Sequence, residues 1–230
     1  MKGDVSSTQG TIIVPDPGNN LQYYIFTAPA TLSNPQSSTG YYSLISLENP
    51  EGEVLSKNNT LFTDLAEKIT ATLDCSGKGY WVVTHHVSKG IFYSFHVTSV
   101  GVITLPVISK YTDETVNSIS GYMKISPDRT KLALATTTSI VSAPSKIAPY
   151  PLLLFNFNAE TGSITLNNIL GTGTTISSYY GVAFSPDNTK LYATEIREIR
   201  ANTLGSIVQY DLSLANPVAV QNSLFVYKIP

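Results

Sequence analysis

Cysteine is nearly absent from this 230-residue sequence: Cys75 stands alone, so no disulfide can form within the chain. With no cationic cluster around it, Cys75 reads as a small buried apolar residue rather than a reactive thiol. Charge is scarce as well. Asp, Glu, Lys and Arg make up 13% of residues, about half the share of an ordinary soluble domain, and the net charge is −2. No basic block could neutralise a row of phosphates, so nucleic acid is not an expected partner. No apolar run reaches the roughly 18 residues of a membrane-spanning helix. The opening MKGDVSSTQG carries no apolar stretch of a signal peptide. Sequence signatures of chemistry are missing too. There is no G-x-S-x-G, H-E-x-x-H or G-x-x-x-x-G-K-[ST], and GTGTT at 171–175 lacks the phosphate-binding lysine. No catalytic residue, metal site or cofactor is expected.

What the chain has is Thr, Val, Ile and Tyr, with 14 tyrosines against 8 phenylalanines. These residues favour pleated, half-buried surfaces, so the expected class is all-β. GYMKISPDRTKLALAT (121–136) recurs 59 residues on as YGVAFSPDNTKLYATE (180–195). Each copy alternates with period two on either side of Ser-Pro-Asp. Pro127 and Pro186 pre-set the backbone of a turn, and Asp128 and Asp187 can accept hydrogen bonds from its amides. Each copy therefore reads as a hairpin whose aspartate is structural. TIIVPDPGNNLQYYIFT (11–27) and KITATLDCSGKGYWVVTHH (68–86) are looser copies. Each hairpin is followed by a second: 41–55, 91–105, 152–166 and 206–220.

Four such units of four antiparallel strands predict a β-propeller. The expected architecture is a single propeller domain with blades at about 10–62, 68–109, 119–170 and 179–229. A lone four-stranded sheet has two apolar faces and must stack to bury them. Four blades are few for a closed ring, so a fragment or a shortened member of a larger propeller is expected, whose open ends invite self-association.

Candidate site residues follow from this plan. In a blade, the first and third turns share one rim, and the second connections share the other. The second connections are long at Ala28–Gly40, Thr137–Pro149 and Glu195–Gly205, and brief only at His85–Gly90. Loops carry recognition while the scaffold stays fixed. The expected ligand face is therefore this loop-rich rim, with His85, His86, Tyr150, Tyr179, Glu195 and Arg197 as candidate contacts. EIREIR (195–200) reads as a self-neutralising hairpin extension. A turn near residue 88 would set His96 opposite Tyr80 and hold it away from His86, against a tetrahedral metal site. The paired tyrosines 23–24, 41–42 and 179–180 send one ring to each face of their strand.

The ordered set SSTQGTIIVPDPGNNLQYYIFT, EKITATLDCSGKGYWVVTHH, GYMKISPDRTKLALAT and YYGVAFSPDNTKLYAT resembles the WD40-like propeller region of large surface proteins of gliding bacteria. These are the gliding-motility-associated proteins with type IX secretion sorting domains. SPD-x-x-K-L alone is generic to propellers; the ordered set is more specific. The resemblance covers about Ser6 to Leu212. It implies an extracellular or cell-surface location and a non-catalytic binding, adhesive or scaffold role, with a protein or glycan as partner. The further blades and sorting domain of that family are not in this chain. The alternative reading is a propeller-type hydrolase or lactonase with its site at the channel mouth.

Overall fold

The computed structural model describes residues 1–31, 38–116, 119–137, 151–171, 177–199 and 202–228. The fold is a β-propeller made of four antiparallel sheets, each following chain order from strand to neighbouring strand. Sheet 1 holds β1 (Thr11–Asp16), β2 (Asn19–Thr27), β3 (Gly40–Ser46) and β4 (Glu53–Phe62). Sheet 2 holds β5 (Leu65–Leu73), β6 (Tyr80–His86) and β7 (Lys89–Thr98), with β8 (Gly101–Val102) and β9 (Val107–Thr115) both paired to β7. Sheet 3 holds β10 (Met123–Ile125), β11 (Lys131–Ala135), β12 (Leu152–Phe157) and β13 (Ile164–Leu170). Sheet 4 holds β14 (Ser177–Phe184), β15 (Lys190–Ile199), β16 (Asn202–Asp211) and β17 (Phe225–Lys228).

Period-two alternation decides which side chain enters which core. In β6, Val82 packs toward sheet 1, while its neighbours Trp81 and Val83 pack toward sheet 3. In β11, Leu132 and Leu134 face sheet 2, and Ala133 and Ala135 face sheet 4. Three cores result. Val14, Tyr24 and Phe26 of sheet 1 meet Ile69, Phe95 and Val97 of sheet 2. Phe92 of sheet 2 meets Phe155 of sheet 3 edge-on at 4.8 Å. Leu152 and Leu154 of sheet 3 meet Leu191, Val208 and Tyr210 of sheet 4. Each large apolar side chain buried this way contributes about 1.5–3 kcal/mol. Among the described residues, no fourth core joins sheet 4 back to sheet 1, so the stack is an open arc.

Residues just ahead of β1 cross the axis of this arc. The Gln9 amide N–H donates to the Glu67 carbonyl at 2.9 Å. Its side chain both accepts from the Met123 N–H and donates to the Met123 carbonyl. The Tyr180 hydroxyl lies 3.5 Å from Thr8 Oγ1. One short segment thus touches the inner strands of sheets 2, 3 and 4.

Four details differ from the sequence reading. The outer strand of sheet 2 is split: the Ile103 N–H still donates to the His96 carbonyl, and residues 104–106 leave the ladder where Pro106 has no N–H to donate. The second hairpin of sheet 4 does not continue as a strand to 220. Instead Asn216 caps a short helix α1 (Pro217–Asn222), its side chain accepting from the Ala219 N–H, with proline opening the first turn. β17 follows the helix. His96 sits opposite Trp81, not Tyr80, because β7 begins at Lys89 and moves the turn centre half a residue. Finally, 195–205 is not a long connection: β15 and β16 pair through to Ile199 opposite Asn202.

Candidate functional site

The two rims are built differently. On the short-turn rim, Ser-Pro-Asp folds identically in sheets 3 and 4. The Ser126 hydroxyl donates to Asp128 Oδ1 at 2.6 Å, and Asp128 also accepts from the Thr130 N–H. Ser185, Asp187 and Thr189 repeat the pattern. These bonds hold the Asp187 carboxyl below its usual range. Burial would raise that of Asp128, but bonds from Ser126 and Thr130 outweigh it and lower it. Pro127 and Pro186 are exposed beside them. The next residue, Arg129 or Asn188, takes φ of +62° and reaches to the preceding turn. The Arg129 guanidinium donates to the Asp74 carbonyl at 2.7 Å, and Asn188 Oδ1 accepts from the Asp128 N–H at 3.0 Å. Between the turns of sheets 2 and 3 lies an open cleft of about 650 Å³, lined by Cys75, Arg129, Asn156, Asn158, Glu160 and Thr165 among others. Cys75 is not buried as its sequence setting suggested: it sits in the β5–β6 turn, exposed at the edge of this cleft.

Beside this cleft, Trp81 stacks on His96 with ring centroids 4.3 Å apart, and its indole N–H donates to the Ala159 carbonyl. His96 Nε2 lies 3.1 Å from Asp74 Oδ2. Burial would raise the Asp74 carboxyl; hydrogen bonds from Ser76, His96, Gly79 and Lys78 prevail and hold it at about 2.

On the opposite rim, His85 is fully buried, with Nδ1 2.6 Å from the His86 carbonyl and Nε2 3.1 Å from the Tyr111 hydroxyl. Burial, helped by the nearby Lys68, lowers its pKa to about 3. His86 Nδ1 accepts the Ser88 and Lys89 N–H groups and so caps the tight β6–β7 turn. Both histidines are thus held inside the scaffold rather than presented to solvent. Glu195 is buried as well. Its carboxylate accepts from the Tyr179 hydroxyl at 3.3 Å and the Ser206 hydroxyl at 3.2 Å. Burial pushes the Tyr179 phenol up. The structure therefore brings Tyr179 and Glu195 together, but as an internal bond across β14, β15 and β16. Arg197 pairs through its backbone with Leu204 in the strand extension. Tyr150, and most of the 137–149 connection, lie outside the described residues.

The sequence reading missed a fully buried charge on an inner strand. Lys68, on β5, has no solvent exposure, and its ammonium donates to the Ser120 carbonyl at 2.9 Å and the Ala135 carbonyl at 3.1 Å. Burial lowers its pKa to about 7, against the opposing effect of Glu67. Glu67, also buried, lies 3.5 Å from Thr8 Oγ1. The only available signal was an Glu-Lys pair at the head of an inner strand in a chain with few charges. Among the described residues, no three His, Cys, Asp or Glu side chains cluster as metal ligands.

No family model and no curated protein matches the sequence. Among solved structures, the chain is similar to a protein of unknown function from Dyadobacter fermentans (TM-score 0.52, 8% identity, 96% of this chain and 68% of that one). It is similar to Sqt1 from Chaetomium thermophilum (TM-score 0.50, 15% identity, 99% and 52%). It is also similar to an exo-beta-1,3-galactanase from Phanerochaete chrysosporium (TM-score 0.47, 12% identity, 92% and 48%). The chain spans about half the length of the last two. At these identities the likeness is one of fold.

Proposed function

We propose that this chain is a non-catalytic recognition and scaffold module of a bacterial cell-surface or secreted protein, with a protein or glycan bound at its loop-rich rim. The surface location rests on the resemblance to gliding-motility-associated propellers. The observation that carries the recognition role is the asymmetry of the rims. One rim is closed mainly by short, internally bonded turns, the helix-bearing connection from β16 to β17 being its exception, whereas residues 28–39 and 136–151 connect strands on the other. The groups best suited to chemistry near that rim already serve the scaffold: Lys68 holds two carbonyls, Glu195 two hydroxyls and His85 a carbonyl and a phenol. A rigid platform with variable loops is the physical form of a recognition module.

The experiment is a polysaccharide-array and surface-protein binding screen with a fluorophore on Cys75, which lies on the short-turn rim away from the loops. Replacing Thr137–Pro149 with a short Gly-Ser turn should abolish binding while the far-UV circular dichroism stays unchanged. Binding that survives the replacement contradicts the reading. So does hydrolysis of an array polysaccharide, which would favour the hydrolase alternative.

A further inference from the structure

We propose that the cleft on the short-turn rim between sheets 2 and 3 is a second binding site, for a short saccharide that carries carboxylates. Its volume of about 650 Å³ lies within the range of ligand clefts. Three turns wall it: β5–β6 through Cys75, β10–β11 through Asp128 to Thr130, and β12–β13 with the strand ends beside it. These walls are tied to one another by the protein itself. The Cys75 N–H and the Trp81 indole N–H both donate to the Ala159 carbonyl at 2.9 Å. The Phe157 N–H donates to the Thr130 carbonyl at 2.8 Å, and Arg129 Nη1 to the Asp74 carbonyl at 2.7 Å. A cleft fixed in this way costs its ligand little ordering of the protein.

The same bonds leave the lining with donors to spare. Nη1 is the guanidinium nitrogen on the Cδ side, so the Asp74 carbonyl takes none of the Nε–Nη2 edge of Arg129. Among the described residues that edge has no partner, and it is an edge that matches a carboxylate in two parallel bonds. The side-chain amides are biased the same way. Asn158 Oδ1 accepts the Glu160 and Thr161 N–H groups, and Asn156 Oδ1 accepts from Lys131 Nζ and Asn167 Nδ2. With each oxygen engaged inside the protein, both amides keep their Nδ2 hydrogens for a ligand. Asp128 is already occupied by Ser126 and Thr130. Glu160 is then the lining carboxylate without a partner among the described residues.

This surplus selects the ligand. A guanidinium edge and two amides require acceptor oxygens, while Glu160 requires hydroxyl donors. A uronate sugar carries both: a carboxylate for Arg129, and hydroxyls that give and take for Asn156, Asn158 and Glu160. A peptide fits less well, because Phe157, the large apolar side chain of the lining, is packed into the core between sheets 2 and 3 and leaves no pocket for an apolar anchor. The turn of sheet 4 carries Asn188 where sheet 3 has Arg129, at the same φ of +62°, so that turn forms without a guanidinium.

The test is calorimetric titration of the 230-residue chain with trimers of galacturonate, glucuronate and mannuronate, and with their methyl esters, which keep the hydroxyls and lose the charge. At least one acid trimer should bind with millimolar or tighter affinity, and its ester about 10–100-fold more weakly. Arg129→Asn copies the Asn188 turn, with circular dichroism confirming the fold. It should weaken the acid trimer by the same factor and leave the ester unchanged. A maleimide adduct on Cys75, at the cleft edge, should block both. No binding by any acid trimer would overturn the proposal, as would binding that survives either Arg129→Asn or the adduct. So would an equal loss of acid and ester in Arg129→Asn, which is what a purely structural arginine would give. The recognition reading fails separately, because its screen is run with Cys75 already labelled and depends on the Thr137–Pro149 connection of the other rim.

Discussion

Replacing Lys68 with methionine should leave a pH signature that no surface lysine would give. In the fold, burial holds the Lys68 pKa at about 7, against an ordinary 10.5. Between those values the unfolded chain binds one more proton than the folded chain, so stability rises with pH. The charged form is disfavoured below pH 7 by roughly 5 kcal/mol, and between pH 6 and 9 this penalty shrinks by roughly 2–3 kcal/mol. Methionine carries no such term. It leaves the Ser120 and Ala135 carbonyls without the lysine donor, at about 1–3 kcal/mol each, but that loss does not depend on pH. Lys68→Met should therefore be close to neutral at pH 6 and clearly destabilising at pH 9. The amino terminus also titrates below its ordinary value, but it is exposed and common to both proteins. The assay is urea unfolding of both proteins at pH 6, 7, 8 and 9, followed by the fluorescence of the single tryptophan. A stability difference that stays constant across this range would refute the claim that the ammonium is desolvated.

Other outcomes follow from the same contacts. Gly162 has φ of +73°, and an added Cβ would meet the Trp81 ring at 2.6 Å, so Gly162→Ala should destabilise by more than about 1 kcal/mol and shift Trp81 emission. Tyr179→Phe removes one donor from the buried Glu195 carboxylate and should cost about 1–3 kcal/mol, read by the urea midpoint. Asp128→Ala should destabilise more than Asp187→Ala, since the Asp128 turn is tied to its neighbours through Arg129 and Asn188; equal losses by thermal melting would contradict the turn-to-turn linkage.

Much of the architecture can be read from residue pattern because a sheet buried on both faces writes its two sides alternately. KLALAT spells one core with leucine and the next with alanine, and the structure sends them to sheets 2 and 4 accordingly. The Ser-Pro-Asp turns are equally legible, since serine, aspartate and threonine close them locally. What pattern could not supply depends on small local energies. The β6–β7 register hangs on His86 accepting two turn amides. Asn-Pro at 216–217 fits a turn and a helix start equally, and here it starts a helix. Glu195 read as part of a self-neutralising extension and Lys68 gave no reading at all, because their partners are distant in sequence: Tyr179 and Ser206 for one, Ser120 and Ala135 for the other.

Hydroxyl-radical footprinting across a dilution series tests the open arc most directly. Phe225, Tyr227 and Ile13 should be oxidised readily at low concentration, while Tyr210 and Phe155, inside the cores, stay protected throughout. Protection of Phe225 and Ile13 in a sample that light scattering shows to be a single chain would mean that the first and last sheets are already covered within one chain, and the open arc would be wrong.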